Sequence, residues 1–368
     1  MKLELLKENT LNAISIAEKI VGKNLSLPVL SCLLLTVKKP KLTIKATNID
    51  LGIEISIPSK VYEDGSAAIP GGILGTILSN IHTPSEIKLE SVDNNIAVTT
   101  TTSKTLIKTQ NHDDFPSLPQ VNEAQPINIK AKSIMEGIRA VWYSASLSMV
   151  KPELASIYIY PHDGTLIFVA TDSFRLAEKV IPVKNLKSFN PILIPFKNVL
   201  EVLRVLEYIG EEEDITVHLT QNQLAFSTPN VYLTSRLIDG SFPDYKQIIP
   251  KKTTTEVVVL KQDLISALKR ANVFSDKFNQ VRFEIKPSKK KFVLTSSNQD
   301  LGETAESIQA AVTGEDLSIH FNYKYISDCF QSISADSVTL TFSGLSKPVV
   351  IRGVSDNSFL YLVMPMNR

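Results

Sequence analysis

Cysteine is scarce in this sequence, with 2 residues among 368, Cys32 and Cys329. They lie far apart in apolar surroundings, and neither belongs to a Cys-x-x-Cys motif. This spacing favours buried, reduced thiols over a disulfide framework or a zinc site. The histidines show no metal-ligand spacing and neighbour no nucleophile motif, at His82, His112, His162, His218 and His320. We therefore expect no catalytic residue, no metal and no cofactor.

Long apolar runs are missing as well. The longest, 27–37, is interrupted by proline, serine and threonine and is far shorter than the ~20 residues that span a bilayer. Glu4, Lys7 and Glu8 break up the N-terminal apolar stretch, unlike the uninterrupted core of a secretory signal. We expect a cytoplasmic protein without membrane association.

An excess of either charge is also lacking, because 39 Lys and Arg stand against 38 Asp and Glu, a formal net charge of +1. The strongly basic domain that usually marks a nucleic-acid binder is therefore excluded. Apolar residues, by contrast, make up 43% of the chain. At this length they suffice for two or three folded domains.

The sequence contains an internal repeat with a period of about 125 residues. Three segments run from a short β-like stretch into an amphipathic helix: LELLKENTLNAISIAEKI from Leu3, INIKAKSIMEGIRAVWYS from Ile127 and VVVLKQDLISALKRANVFS from Val257. Two alternating strands around a polar turn follow each helix. Each second strand ends in a hydroxyl residue plus Asn or Asp, which suits a turn. These pairs are Thr47-Asn48, Thr171-Asp172 and Ser297-Asn298.

A second helix is predicted in every copy, in AAIPGGILGTILSNI, ILIPFKNVLEVLRVL and IHFNYKYISDCFQSI. Pro70, Pro195 and Asn322 occupy its equivalent start, and proline is accepted in the first turn of a helix. Two further strands are expected to close each copy. The first two copies then end in Asp114-Phe115-Pro116 and Ser241-Phe242-Pro243.

The repeat predicts an α+β fold of three similar domains, 1–120, 127–250 and 256–368, joined by short polar segments. Each domain holds two half-domains, each with one helix and several antiparallel strands. We expect helices of ~12–16 residues to pack side by side on one face of the sheets. Three domains in an arc can dimerise head to tail, which closes into a ring with helices inside and sheets outside.

Four stretches of the chain resemble a known family: 27–30 (LPVL), 170–176 (ATDSFRL), 236–245 (RLIDGSFPDY) and 363–366 (VMPM). The sequence is similar over its whole length to the beta subunit of bacterial DNA polymerase III, the sliding clamp. The resemblance implies a non-catalytic ring of clamp domains that encircles duplex DNA, slides along it and tethers a replicative polymerase.

The resemblance also implies an apolar pocket between the second and third domains, which takes short peptides of partner proteins. Its residues would be Leu154, Thr171, Ser173, Phe174, Arg175, Leu176, Pro243, Gln247, Ile248, Ser346, Met364, Pro365 and Met366. Methionines adapt to varied ligands, although Met364 and Met366 taken alone would more often belong to a core. Gln247 and Phe174 depart from the basic residue and the histidine that are common in the family, which affects the peptide preference.

Two further surfaces follow from the resemblance. Basic residues on or near the helices would face DNA: Lys23, Lys132, Arg139, Lys151, Lys197, Arg204, Lys269 and Arg270. Lys151 and Pro152 replace aromatic residues that contact DNA in some relatives. Ring closure would join the edge strand with Thr105 and Ile107 to Val273 and Phe274 of a second copy, with Ile107 packing on Phe274.

The implied partners are double-stranded DNA without sequence preference, the DNA polymerase III alpha subunit and other polymerases, the clamp loader, mismatch-repair and ligase-type clients, and a second copy of the chain. Two other classes stay open. One is an interaction scaffold, ring- or arc-shaped, that encircles no DNA. The other is an enzyme with Asp172 and Arg175 as its polar centre.

Two minor motifs have competing interpretations. Gly71, Gly72 and Gly75 favour close helix packing over a phosphate loop, because the Lys-Ser/Thr of a P-loop is missing. The lysines between 286 and 291 favour a solvated hairpin turn over a contact with DNA or a partner.

Overall fold

The computed structural model describes residues 1–22, 27–81, 86–121 and 126–366. Within these ranges the helices are α1 (Lys7–Ala17), α2 (Gly71–Ser79), α3 (Ala131–Val141), α4 (Phe196–Ile209), α5 (Lys261–Asn272) and α6 (Tyr323–Asp328). Short 3-10 turns cover Pro28–Ser31, Trp142–Ser144, Tyr245–Ile248, Pro287–Lys289 and Cys329–Ser332.

The strands make up most of the fold. The first third of the chain has β1 (Lys2–Leu6), β2 (Cys32–Lys38), β3 (Lys41–Thr47), β4 (Leu51–Pro58), β5 (Lys60–Glu63), β6 (Gly65–Pro70), β7 (Glu86–Val92), β8 (Asn95–Thr99) and β9 (Lys104–Lys108). The second has β10 (Ile127–Lys130), β11 (Ser156–His162), β12 (Thr165–Thr171), β13 (Arg175–Pro182), β14 (Ile192–Pro195), β15 (Asp214–Leu219), β16 (Gln223–Ser227) and β17 (Val231–Arg236). The last has β18 (Thr255–Leu260), β19 (Gln280–Lys286), β20 (Lys291–Asn298), β21 (Gly302–Ile308), β22 (Ala310–Gly314), β23 (Leu317–Asn322), β24 (Ser337–Phe342), β25 (Val349–Gly353) and β26 (Phe359–Val363).

The predicted repeat is confirmed, and its unit is a β-α-β-β-β element that occurs six times. The prediction of two closing strands was wrong, because three strands follow the second helix of each copy. The strand after each predicted Asx turn was also missed: β4, β13 and β21. These turns reverse the chain, so a third antiparallel strand follows directly. Short β5 and β22 are additions to this pattern.

The prediction of helices of ~12–16 residues holds only for α4, with 14 residues, and α5, with 12. The sixth helix has 6 residues because the chain tightens into a 3-10 turn at Cys329. Pro70 and Pro195 end the strands that lead into α2 and α4, so each precedes its helix instead of lying in the first turn. At the third equivalent start, the Asn322 side chain accepts hydrogen bonds from the backbone N–H groups of Lys324 and Tyr325.

The chain forms two compact units. Residues 1–135 and 197–237 make one, with a five-stranded sheet ordered β5-β1-β7-β8-β9 and an eight-stranded sheet ordered β10-β15-β16-β17-β4-β3-β2-β6. Residues 136–196 and 238–368 make the other, with a nine-stranded sheet ordered β14-β11-β12-β13-β26-β25-β24-β18-β22 and a four-stranded sheet ordered β21-β20-β19-β23. All strand pairs described are antiparallel, and the sequence segment 127–250 supplies strands to both units.

Within each unit the helices pack on the sheets as their apolar faces require. In the first unit α1 lies against α2, β3 and β4, with Ala13, Ile14 and Ala17 fully buried. In the second unit α5 lies against α6, β20 and β21. Side-by-side packing of two helices on one sheet layer is thus confirmed for the first and third copies.

Close packing explains the glycines of α2. A Cβ added at Gly75 would lie 2.5 Å from Oε2 of Glu18, the residue that follows α1, and one at Gly71 would lie 3.0 Å from Cγ of Leu33. A side chain at Gly71 would therefore require Leu33 to shift, whereas the flexible carboxylate of Glu18 could move away from one at Gly75. The helix-packing interpretation therefore holds for Gly71 and Gly75, which face close neighbours, and not for Gly72, where a Cβ would meet nothing within 4 Å.

Two further expectations, for the cysteines and for the lysine run, are met in the described residues. Cys32 and Cys329 are free and buried, and burial raises the pKa of the Cys329 thiol. The lysine run is a hairpin turn, in which Lys286 pairs with Lys291 and Lys290 adopts a φ of 49°. No helix in the described ranges is long and apolar enough to cross a bilayer.

Candidate functional site

The predicted pocket is organised by the Asx turn between β12 and β13. The Asp172 carboxylate accepts hydrogen bonds from the backbone N–H groups of Phe174 and Arg175, both at 3.0 Å. Thr171 Oγ1 donates to the carbonyl of Arg175 at 2.7 Å and accepts from the N–H of Ser173, which has a φ of 76°. These bonds satisfy the backbone of a sharp reversal. They point Phe174 outward, with 60% of its surface exposed.

The C-terminal strand lies directly beside this turn. In the β13–β26 pair, Arg175 is opposite Val363 and Leu176 is opposite Leu362. The N–H of Met364 donates to the carbonyl of Phe174 at 2.8 Å, and Met366 continues toward β23. The structure thus brings 171–176 and 364–366 together, as predicted. Met364, Pro365 and Met366 are half-buried.

A buried apolar cluster forms the floor. It consists of Ile167, Val169, Leu176, Tyr245, Val350, Leu360 and Leu362. Leu176 is only 1% exposed, so it supports the floor of the site and is not an open contact. Tyr245 fastens the 3-10 turn to this floor, because its hydroxyl donates to Glu178 and shares a 2.8 Å hydrogen bond with Tyr160. Burial and these two hydrogen bonds raise the pKa of Tyr245.

The rim beside the floor is aromatic and carries one fixed cation. The Phe174 ring stacks on Tyr325 with centroids 6.5 Å apart, and the Arg175 guanidinium lies 4.6 Å from the centre of the same Tyr325 ring. Arg175 also donates to Asp172 at 3.0 Å and to Asp328. Asp172 and Arg175 therefore hold the turn and the rim in place.

Sequence reasoning missed Tyr325. This residue lies in α6, far from the pocket motifs in sequence, and burial raises the pKa of its hydroxyl. The only available signal was its position at the start of the sixth repeated helix, next to Asn322. That signal does not distinguish a binding residue from a core residue.

Other predicted pocket residues lie on two loops that meet the same sheet. Pro243, Gln247 and Ile248 are exposed in and before the 3-10 turn, and Gln247 Nε2 donates to Asp244 at 2.8 Å. Ser346 is exposed in the loop before β25, whose first residue pairs with Val363. Leu154 is buried ahead of β11.

The predicted DNA-facing residues differ in their surroundings. Four form ion pairs: Lys132 with Glu212 at 3.5 Å, Lys197 with Asp50 at 2.6 Å, Arg204 with Glu201 at 2.5 Å and Arg270 with Glu306 at 2.7 Å. Lys151, Lys269 and Arg139 are exposed, and Lys23 lies outside the described residues. Half or nearly half of each paired cation's side chain remains exposed, so these ion pairs leave the charges accessible.

The predicted subunit contact needs one correction. The strand β9 is the edge of its sheet, as expected, but Ile107 is 3% exposed because it points into the core of its own unit. Its neighbour Leu106 is 57% exposed, since side chains alternate along a strand. Thr105 and Phe274 are half-buried and Val273 is exposed. Leu106, not Ile107, is therefore the apolar side chain that this edge offers to a partner.

Three family models together match nearly all of this chain. They are the N-terminal domain of the DNA polymerase III beta subunit at residues 1–119, the central domain at 128–244 and the C-terminal domain at 246–367. The beta sliding clamp of Synechococcus elongatus is 28% identical, covering 100% of this chain and 99% of the relative. That of Bacillus subtilis is 25% identical with the same coverage.

A solved structure agrees with these relatives. The DNA polymerase III beta subunit of Thermotoga maritima is 26% identical and superposes with a TM-score of 0.93, covering 100% of this chain and 99% of that one.

Proposed function

The chain belongs to the DNA polymerase III beta subunit family and is a DNA sliding clamp, and from this premise we propose that two copies close head to tail around duplex DNA. The ring slides without sequence preference and performs no chemistry of its own. It holds polymerase III alpha and other polymerases, the clamp loader, and mismatch-repair and ligase-type clients at its peptide pocket, in the cytoplasm.

One observation carries the ring proposal. Some sheets join strands from two successive copies of the repeat, and we call each such sheet a junction. Two junctions are complete, and a third is present only as two separate halves. The complete ones are joined by β17 on β4 and by β26 on β13. The five-stranded sheet ends at β9, the counterpart of β17 and β26, and the four-stranded sheet ends at β21, the counterpart of β4 and β13. Among the described strands, each chain thus carries both halves of a third junction as edges without a neighbouring strand. Pairing β9 with β21 of a second copy completes it and removes two aggregation-prone edges.

The repeat also sets the register of this contact. Thr234 lies opposite Gly52 in the first junction, and Leu362 lies opposite Leu176 in the second. The same register places Leu106 opposite Gly302 of the partner copy. A Cβ at Gly302 would lie 3.7 Å from the Phe274 ring, so a leucine across from it can cover that ring. Exposed Val273 extends the apolar contact.

DNA retention in this proposal is topological, which agrees with a net charge of +1. A ring that cannot dissociate sideways needs few phosphate contacts, and tight ones would slow its sliding. Exposed Lys151, Lys269 and the partly exposed ion-paired cations supply weak contacts with the backbone.

The pocket at the second junction binds an apolar anchor of the partner peptide. Ile248 is 48% exposed in the 3-10 turn whose Tyr245 packs on the buried floor with Leu176 and Leu362, and Phe174 on Tyr325 offers a second apolar surface. Gln247 in place of a basic residue reduces the attraction for acidic flanks of a peptide.

The dimer contact is tested by Leu106→Arg and by Phe274→Ala. The first places a charge in an apolar contact, and the second removes a ring worth ~3–5 kcal/mol when it is buried. Both variants are expected to sediment as monomers at concentrations where the unmodified protein is a dimer. Leu147→Arg, at another exposed leucine, is the matched control and should remain dimeric. Dimeric Leu106→Arg and Phe274→Ala proteins at nanomolar concentration would contradict this interface.

A further inference from the structure

In each copy of the repeat, the segment after the last strand meets the edge strand of a sheet. One main-chain hydrogen bond fixes this segment at an equivalent position each time. The N–H donor and the carbonyl acceptor are Gln110 and Ala68 at 2.9 Å, Ile238 and Leu193 at 3.0 Å, and Met366 and His320 at 2.9 Å. The third copy therefore begins this contact in the same way as the other two.

In the first two copies the segment continues across the face of the sheet. In the first copy, Leu118 lies on the backbone of Gly52, because a Cβ there would lie 2.6 Å from its Cδ2. The Tyr232 hydroxyl holds the segment, since it donates to the carbonyl of Pro119 at 2.8 Å and accepts from the N–H of Val121 at 2.9 Å. The chain itself thus fills this face.

The second copy shows the spacing of the contacts. Phe242 stacks on Tyr158 of β11, with ring centroids 4.7 Å apart. Tyr245, three residues on, packs with Leu176 of β13 in the buried floor. Three residues of extended chain advance about 10 Å, which matches the two strand spacings of ~4.8 Å each between β11 and β13. A crossing segment therefore makes contacts on two strands that have one strand between them.

The corresponding face of the four-stranded sheet is open among the described residues. Its opposite face is buried and apolar, as at Phe283. On the open face, which we call the polar face, Arg282 and Glu303 are exposed. They line a groove of about 540 Å³ together with His320, where the contact of Met366 lies. The third copy thus has the start of a crossing and an unfilled face beyond it.

Arg282 stands in the polar face where the second copy has Tyr158. Both lie opposite equivalent residues of the next strand, Thr295 and Val169. Arg282 Nε donates to Ser318 Oγ at 2.8 Å, and no carboxylate of a described residue forms an ion pair with this guanidinium. An arginine oriented in this way can stack under an aromatic ring, as Tyr158 does.

Glu303 stands where the second copy has Leu176. The two lie opposite the equivalent residues Ser297 and Thr171. Glu303 is exposed and forms no ion pair within the described part of the chain. The second copy takes the buried ring of Tyr245 at this position, whereas a carboxylate favours a basic side chain.

We propose that the polar face binds an extended segment of a partner protein, in which an aromatic residue and a proline are followed by a basic residue three positions after the aromatic one. The aromatic ring lies on Arg282, and the basic side chain pairs with Glu303. The proline keeps the segment extended, as in the chain's own segments at 115–116 and 242–243. This site uses β19, β20 and β21 and is separate from the peptide pocket.

The probe is a fluorescein-labelled peptide, FPSKPQV, which is segment 115–121 with lysine in place of Leu118. Fluorescence anisotropy should show saturable binding of one peptide per full-length chain. Glu303→Lys should weaken this binding by at least about tenfold and should bind FPSEPQV instead, because the reversed charges restore the pair. Arg282→Ala should weaken it by roughly two- to fivefold, because the ring loses its cation.

Two variants serve as controls. Glu315→Lys makes the same change of charge in the turn between β22 and β23, outside the groove, and should bind FPSKPQV like the unmodified protein. Ile248→Ser alters the peptide pocket and should also bind FPSKPQV unchanged, which separates the two sites.

Three results would overturn the proposal: no saturable binding to the unmodified protein, equal losses in Glu303→Lys and Glu315→Lys, or equal affinities for FPSKPQV and the unaltered FPSLPQV. The last result would assign the face to segment 115–121 of a second copy. If circular dichroism shows that Glu303→Lys does not fold, the unmodified protein decides, because it must bind FPSEPQV at least about tenfold more weakly than FPSKPQV. Equal affinities for these two peptides also contradict the proposal.

Discussion

At the scale of single residues, the proposed pocket depends on an Asx turn that the sequence uses three times. Asn48, Asp172 and Asn298 each accept backbone hydrogen bonds from the residues two and three positions on. Asp172 is the one charged member, and its carboxylate also accepts from Arg175 Nε at 3.0 Å. The same Asx turn therefore has only a structural role in two copies, whereas in one copy it also fixes the pocket rim.

Because only the turn at Asp172 lies at the pocket rim, removing its side-chain acceptor should affect partner binding, whereas removing that of Asn48 should not. Asp172→Ala should lower the affinity for the polymerase III alpha subunit by about tenfold or more, because Phe174 and Arg175 lose their fixed positions at a binding hot spot. Asn48→Ala is the matched control and should leave that affinity unchanged. Each variant also loses stability, by roughly 0.5–1.5 kcal/mol per hydrogen bond. Surface plasmon resonance gives the affinities and thermal unfolding the stabilities. Equal affinities for the two variants would show that the turn does not position the pocket.

At the scale of elements, the repeat in the sequence predicted all six helices, because each has an apolar face and a recognisable start. It also predicted the first two strands after the first helix of each copy. It did not reveal the strands β4, β13 and β21, which follow the Asx turns. Helix length was predicted poorly, since the change to a 3-10 turn at Cys329 depends on packing and not on periodicity.

The site was predicted where its residues are close in sequence and missed where folding brings them together. The segments 171–176 and 364–366 were assigned from resemblance and do meet. Tyr325 could not be found, because its contact with Phe174 and Arg175 exists only in the folded unit. Ile107 shows how sensitive a strand assignment is, since an error of one residue exchanges the buried face for the exposed one.

The proposal that the helices face DNA is tested with a substitution in α5. Lys269 is exposed near its C-terminal end, and the proposed ring places it toward DNA. Lys269→Glu should weaken binding to short duplexes and reduce the slope of log affinity against log salt concentration by about one. Lys289→Glu, in the hairpin turn after β19, is the control with the same change of charge. If both variants lose affinity equally across a salt titration, the effect is one of overall charge and α5 does not face DNA.

At the scale of the whole molecule, a near-neutral chain can remain on DNA because closure, and not charge, provides the retention. The chain contains two complete junction sheets and the two halves of a third. This arrangement explains why the chain needs a second copy and why its basic residues can be few, partly paired and weak in their contacts. In the proposed ring the two tasks are separate, since the edges at β9 and β21 would close the ring while the second junction would hold the partners.

The most direct test of encirclement compares circular and linear DNA. The protein is loaded by a bacterial clamp loader onto a nicked circle, separated from free protein by gel filtration, and the circle is then cut once by a restriction enzyme. We predict that the protein stays with the intact circle and is lost after linearisation, because only an open end lets a closed ring slide off. Dissociation from the intact circle as fast as from the linear form, or stable retention on the linear form, would contradict the account.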